Sequence, residues 1–330
     1  MHDTYLLLVA VIVLATVFDF INGFHDTANA IATSVSTRVL SPKKAVIMAA
    51  SLNLLGALTG TAVAKTVGVG LVDIGAITQV TVIAALLSAI VWDLITWYFG
   101  LPTSSSHALL ASILGASVAT AGTGVIIQHG VFKVLIALIL SPIVGLLFGY
   151  LLMLLLMKLF GHSPISFVNK FFNKMQIVSA GYMAFSHGNN DAQKTMGIIT
   201  MALVSYYKLP GFDVPFWVML LCATAMALGT ALGGWRIIKT LGIRLVHLQP
   251  IHGFAAEASA GTIIEIASRF GLPLSTTHII SSTIMGVGAT KRLSAVRWGI
   301  ALNIVVAWVL TLPMCAIFAW GIYKLLAMVL

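Results

Sequence analysis

Apolar residues run in long stretches at 5–32, 46–64, 80–99, 109–127, 132–159, 177–204, 216–235, 254–266, 279–287 and 299–323, with short polar breaks between them. A helix needs about 20 apolar residues to cross a hydrocarbon core of about 30 Å. Most of these stretches reach that length, and they predict an all-α polytopic membrane protein with ten crossings. If the two short stretches that follow Gly-Leu-Pro enter and leave on one side as re-entrant hairpins, the count becomes about twelve. Within the first stretch, residues 23–33 read GFHDTANAIAT and place His25, Asp26 and Asn29 where lipid is expected. A carboxylate at that depth costs about 2.5–3.5 kcal/mol, so it marks a functional site unless a buried partner satisfies it.

The same polar break occurs twice. Residues 185–195 read FSHGNNDAQKT, and a shift of 162 positions lays His187 on His25, Asp191 on Asn29, Ala192 on Ala30 and Thr195 on Thr33. A second pair follows in the same order: GLPTSSSH at 100–107 and GLPLSTTH at 271–278, 171 positions apart. Duplicated polar interruptions in apolar segments point to the midplane site of a secondary transporter. With the amino terminus outside, ten crossings put twelve of the eighteen basic residues on the cytoplasmic side, in clusters around Arg38, Lys158, Arg236 and Lys291. That bias fixes the orientation, with both termini extracytoplasmic. Five crossings per half then force the halves into inverted topology: residues 1–159 form the first repeat, 160–175 a short cytoplasmic hinge and 176–330 the second repeat.

Composition narrows the class. The chain is 59% hydrophobic and 8% charged, with mean hydropathy +1.05, where soluble domains carry about 25% charged residues. The net charge of +9 is spread in short clusters between apolar runs, which serves topology and excludes a nucleic-acid face. Cys222 and Cys315 lie in apolar segments without metal-binding spacing. The first stretch lacks a basic leader and a small-residue cleavage site, so it reads as a retained helix.

The polar residues divide into donors and acceptors. In GLPTSSSH, Gly-x-Pro ends one helix and the hydroxyl run starts the next, with Ser104 or Ser105 as cap. First-turn amides and adjacent hydroxyls (Ser104, Ser105, Ser106, and in the second copy Ser275, Thr276, Thr277) suit an anion, although a Ser or Thr after Pro also serves as a plain cap. Opposed to them are Asp26, Asn29, Asn189, Asn190, Asp191 and Glu257, oxygen ligands for a hard cation such as Na⁺ or a path for H⁺. His25, His187, Asp93, Lys194 and Glu265 are candidates for supporting positions, as is Asp19. Anion binding by neutral donors allows release, and a co-bound cation supplies the countercharge, which is the logic of symport. Walker, GxSxG and HExxH spacings are absent. An intramembrane hydrolase built on Ser106, His107 and Asp26 is a distant alternative, and an anion-selective channel is the main competitor from another class.

At these residues the chain resembles the inorganic phosphate transporter (PiT) family of cation/phosphate symporters. NGFHDTANAIATS and HGNNDAQKTMG resemble the family's two signatures, and GFAAE at 253–257, GLPTSSSH and GLPLSTTH follow in family order. The resemblance spans nearly the whole chain. It implies an inverted-repeat fold, uptake of inorganic phosphate with Na⁺ or H⁺ in the cell membrane, no further cofactor, and a homodimer. The family's essential acids fall on Asp26, Asp191 and Glu257, and its substrate-contacting hydroxyls on the SSS and STT runs; Asn190 joins the phosphate ligands, and Asp26, Asn29, Asn190 and Asp191 hold Na⁺ if sodium is the coupling ion. Asn53 stands where some relatives carry an acid, and the short hinge leaves no room for a large regulatory loop. The motif leaves the coupling ion open, and sulfate or a neutral metal–phosphate complex remains an alternative cargo.

Overall fold

The computed structural model describes residues 2–329; Met1 and Leu330, the outer limits of the two repeats, lie outside the described residues. Lipid offers no partner to backbone N–H and C=O groups, so apolar segments close their hydrogen bonds internally as helices. Among the described residues thirteen α-helices follow one another: α1 His2–His25, α2 Thr27–Ser36, α3 Pro42–Ala57, α4 Ala62–Val69, α5 Gln79–Phe99, α6 Ser105–Ala121, α7 Gln128–Phe160, α8 Ile165–Tyr207, α9 Phe216–Leu232, α10 Trp235–Lys239, α11 Pro250–Arg269, α12 Thr276–Ala289 and α13 Trp298–Val329. A π-helical turn, Thr240–Leu245, extends α10. Among the described residues β-structure is limited to two single bridges, Val72–Ile126 and Val246–Val296.

One order of elements occurs twice. A long helix carrying a polar motif (α1–α2, then α8) is followed by a bent pair, α3–α4 at 70° and α9 with α10 and its π-turn at 59°. Next comes a pair joined by a Gly-Leu-Pro turn (α5–α6, α11–α12), then a long helix with an internal proline, Pro142 in α7 and Pro313 in α13. Each turn has a left-handed glycine, Gly100 at φ 67° and Gly271 at φ 65°. The amides of Leu101 and Leu272 bond back to the carbonyls of Thr96 and Ala267, both at 2.9 Å, closing the preceding helix. Ser104 and Ser275 cap the following helices by accepting the amides of His107 and His278, both at 3.2 Å.

The halves interlock by exchange. α13 packs on α6 and α7 on α12, while α3 packs on α8 and α1 on α9. Small residues let these helices approach closely in lipid: a methyl group on Gly56 would come within 2.0 Å of the Phe185 carbonyl oxygen, and one on Gly229 within 2.0 Å of that of Phe20. Large apolar side chains of α7 and α13, among them Phe132, Ile139, Leu302 and Val309, face outward, while polar side chains gather inside.

Among the described residues four helical segments are long and apolar enough to cross a membrane, counting 4–36 as one, and the two bent pairs bring the number to six. α8 and α11 carry the polar motifs, which dilutes their apolar character. Two expectations change in detail. The polar stretch 160–175 is mostly helix, because α8 begins at Ile165 directly after Pro164. The first motif interrupts its helix, with Asp26 at φ −94° and ψ 4° between α1 and α2, but the second lies inside unbroken α8. The Thr27 hydroxyl bonds the Gly23 carbonyl at 2.7 Å, an intrahelical bond of the kind that bends helices.

Candidate functional site

The α12 turn joins the two motif copies. Thr277 donates to Asp26 Oδ2 at 3.3 Å, and Thr276 donates to Asp191 Oδ2 at 2.8 Å. The Asn29 amide nitrogen donates to both hydroxyls, at 3.3 Å to Thr276 and 2.9 Å to Thr277. Adjacent threonines at the start of one helix thus hold the acids of both motifs, all buried. On the α6 side, Lys194 donates to Asp191, to Ser106 Oγ at 2.5 Å and to the Leu274 carbonyl at 2.8 Å, so it ties the motif of α8 to both Gly-Leu-Pro turns. Ser105 Oγ is buried with no hydrogen-bond partner.

The histidines orient the acids. His25 Nδ1 lies 2.6 Å from Asp26 Oδ1, and its Nε2 lies 3.1 Å from the Thr96 hydroxyl and 3.5 Å from that of Thr103. His187 Nδ1 sits 3.2 Å from Asn53 Oδ1, whose amide donates to Thr230 at 2.9 Å. His187 Nε2 lies 3.1 Å from Asp191 Oδ2, so the ring bridges the Asn53 oxygen and the Asp191 carboxylate. Ligand atoms of Asp26, His187 and Asp191 all lie within 4.8 Å of one another. Asn29 Oδ1 and Asn190 Oδ1 are buried acceptors without a donor. Unpaired buried acceptors carry a desolvation penalty of about 1–3 kcal/mol each, which a cation bound to either oxygen would relieve.

Other anticipated residues lie outside this cluster. Glu257 accepts from Thr33, from Ser179 at 2.5 Å and from Gln176 at 3.2 Å, in a closed polar knot between α2, α8 and α11. Asn189 turns toward Glu265 at 3.1 Å, and Glu265 pairs with exposed Arg269 at 3.1 Å. Asn190 donates to Ser268 at 2.8 Å and to the Leu272 carbonyl at 3.4 Å, beside the second turn. Asp19 accepts from Thr195 at 3.0 Å. Asp93 is fully buried with neither oxygen hydrogen-bonded. Ser104 and Ser275 spend their hydroxyls on their own helices.

Sequence reasoning passed over Gln176 and Ser179, whose link to Glu257 depends on folding. It also passed over the pairing of His107 with His278, ring centres 4.3 Å apart and His278 stacked on Trp308 at 3.9 Å. Their equivalent places in the two Gly-Leu-Pro motifs were the available signal. The hydrolase alternative has no geometry behind it: Ser106 is bound to Lys194 and Leu274, and the ring nitrogens of His107 have no hydrogen-bond partner.

Residues 22–319 match the model of the phosphate transporter family. The chain belongs to the phosphate transporter family. It is 47% identical to a probable low-affinity inorganic phosphate transporter of Bacillus subtilis (strain 168) over 98% of both chains. It is 48% identical to a protein of the same description from Rhizobium meliloti (strain 1021), over 94% of both. A solved structure described as the sodium-dependent phosphate transporter has the same fold, with a TM-score of 0.90 at 24% identity, covering 98% of this chain and 100% of that one. These relatives are transporters and not enzymes, and a multi-pass membrane protein of the phosphate transporter family accords with the apolar helices seen here.

Proposed function

We propose that this family member is a secondary active transporter that imports inorganic phosphate across the cell membrane with a coupling cation, Na⁺ or H⁺, by alternating access. One observation carries the reading: Asp26 and Asp191, one from each motif, are bridged by Thr276 and Thr277 of a single helix start. Acids for a cation and a hydroxyl-bearing helix N-terminus for an anion therefore share one buried place. Phosphate is assigned to the first turns of α6 and α12, to Ser105, Ser106, Thr276 and Thr277, and to Asn190; Ser104 and Ser275 hold the turns in shape. The cation is assigned to Asp26, Asn29, Asn190 and Asp191, with the unpaired oxygens of the two asparagines as support. Lys194 pairs with Asp191 and His25 with Asp26, so each acid has a protein partner of its own beside the assigned cation. Glu257 is assigned to coupling at a distance from the centre.

Inverted topology is part of the proposal. The crosswise packing of α13 on α6 and α7 on α12 is what a two-fold relation between halves produces, and the distribution of basic residues gives the orientation with both termini outside. Alternating access follows from burial, since ligands reach such a place only if the packed halves move. Homodimerisation belongs to the same reading and rests on the family resemblance.

Radiolabelled uptake by Asp26→Asn and Asp191→Asn tests the cation assignment: coupled uptake should be lost while the protein still inserts, and near-normal uptake in either variant removes it. Replacing Ser104, Ser105 and Ser106 by Ala should weaken phosphate affinity more than cation affinity. An unchanged phosphate KM counts against the anion turn. Competition by sulfate, and dependence of uptake on a divalent metal, separate the alternative cargoes.

A further inference from the structure

Where the π-turn after α10 meets the α12–α13 connection, the Val246–Val296 bridge and a 3.1 Å bond from the Arg297 amide to the Leu245 carbonyl hold two loops side by side. Between them lies a cavity of about 300 Å³ lined by His247, His252, Lys291, Arg292, Ser294 and Arg297, with no carboxylate in its wall. Ligand cavities begin at about this size. Among the described residues, Lys291, Arg292 and Arg297 make no ion pair or side-chain hydrogen bond.

Topology alone explains exposed basic side chains on a cytoplasmic face. It does not explain His252, which is only 5% exposed and lines the same cavity. Its Nδ1 accepts the Gln249 amide at 3.1 Å, so in the neutral ring Nε2 carries the proton and is the remaining donor. His252 is the third residue of the 20-residue α11, whose positive dipole end therefore opens beside the cavity. The corresponding corner of the first half is built on the same kind of bridge, Val72–Ile126, yet carries Asp73 and no lysine or arginine across 71–79 and 120–127. The basic lining is therefore a property of one corner and not of the corner's architecture.

We infer that this cavity binds a phosphate-bearing anion, separate from the central site: either a soluble phosphomonoester or the headgroup of an anionic phospholipid. Three flexible cations, a buried imidazole N–H and a helix N-terminus match the charge and acceptor oxygens of a phosphate group. Occupancy would hold the α12–α13 connection against the start of α11, at the base of one hairpin.

The test uses the purified full-length protein in two arms. In phosphatidylcholine nanodiscs, glycerol 3-phosphate is titrated by calorimetry; separately, thermal stability is compared between phosphatidylcholine nanodiscs and nanodiscs containing phosphatidylglycerol. Binding or stabilisation in at least one arm is expected. It should weaken by about tenfold or more in Lys291→Gln/Arg292→Gln/Arg297→Gln, and fall with rising salt. His252→Gln, which leaves surface charge untouched, should also weaken it. Response to the soluble ester alone identifies a metabolite-type ligand, and response to phosphatidylglycerol alone identifies a lipid. No binding in either arm, or an effect insensitive to His252→Gln, overturns the inference.

Discussion

Lys194 is a buried cation that ties Asp191 to both Gly-Leu-Pro turns. Its ammonium group reaches Asp191, Ser106 Oγ and the Leu274 carbonyl, and it is only 2% exposed. Lys194→Met keeps the side-chain volume and removes the ammonium group, which leaves Asp191 with Thr276 at 2.8 Å and His187 at 3.1 Å. Removing one partner of a buried ion pair costs about 3–5 kcal/mol, a large share of the 5–15 kcal/mol typical of a folded protein. Neutralising the partner as well, in Lys194→Met/Asp191→Asn, should recover most of this and leave about 1–2 kcal/mol for the lost hydrogen bonds. The assay is equilibrium denaturation of the purified protein in detergent, at fixed salt and without phosphate, read as a double-mutant cycle. A single variant within about 1 kcal/mol of the parent, or a double variant as unstable as the single, would refute the pairing.

Other consequences follow from the same contacts. Asp93→Leu removes a buried carboxylate whose oxygens no hydrogen bond satisfies and should raise stability by about 1–3 kcal/mol; a lower denaturation midpoint contradicts this. Gly56→Ala and Gly229→Ala each push a methyl group into the backbone of the other half, and should each cost about 1–3 kcal/mol or more, seen as a lower melting temperature in detergent. Glu257→Gln places an amide N–H₂ among the donors Thr33, Ser179 and Gln176. It should cost about 1.5–3 kcal/mol and abolish stimulation of phosphate binding by the coupling cation, measured by calorimetry with and without that cation.

Much of the centre was legible because charge in lipid is costly. Asp26 and Asp191 stood out against their apolar surroundings, and the repeated Gly-Leu-Pro motifs announced helix ends that the structure closes with Gly100, Gly271 and serine caps. What the residue string withholds is which hydroxyl is spent locally. Ser104 and Ser275 serve their own helices, while Thr276 and Thr277 face the acids, a difference set by which residue of the turn becomes the cap. Glu265, a candidate for a supporting position, lies one helical turn before the exposed Arg269 and pairs with it. The continuity of α8 was hidden too, because Gly188, Asn189 and Asn190 are weak helix formers alone and are held helical by packing, with Gly188 pressed against the Asn53 backbone.

The central claim is that the two motif copies make one site where a cation and phosphate move together. It is tested most directly by radiolabelled phosphate uptake into proteoliposomes under an imposed Na⁺ or pH gradient. The account predicts transient accumulation above the external concentration, driven by one of the two gradients and lost in Asp26→Asn. Flux that only equilibrates phosphate under both gradients would contradict it and describe a channel.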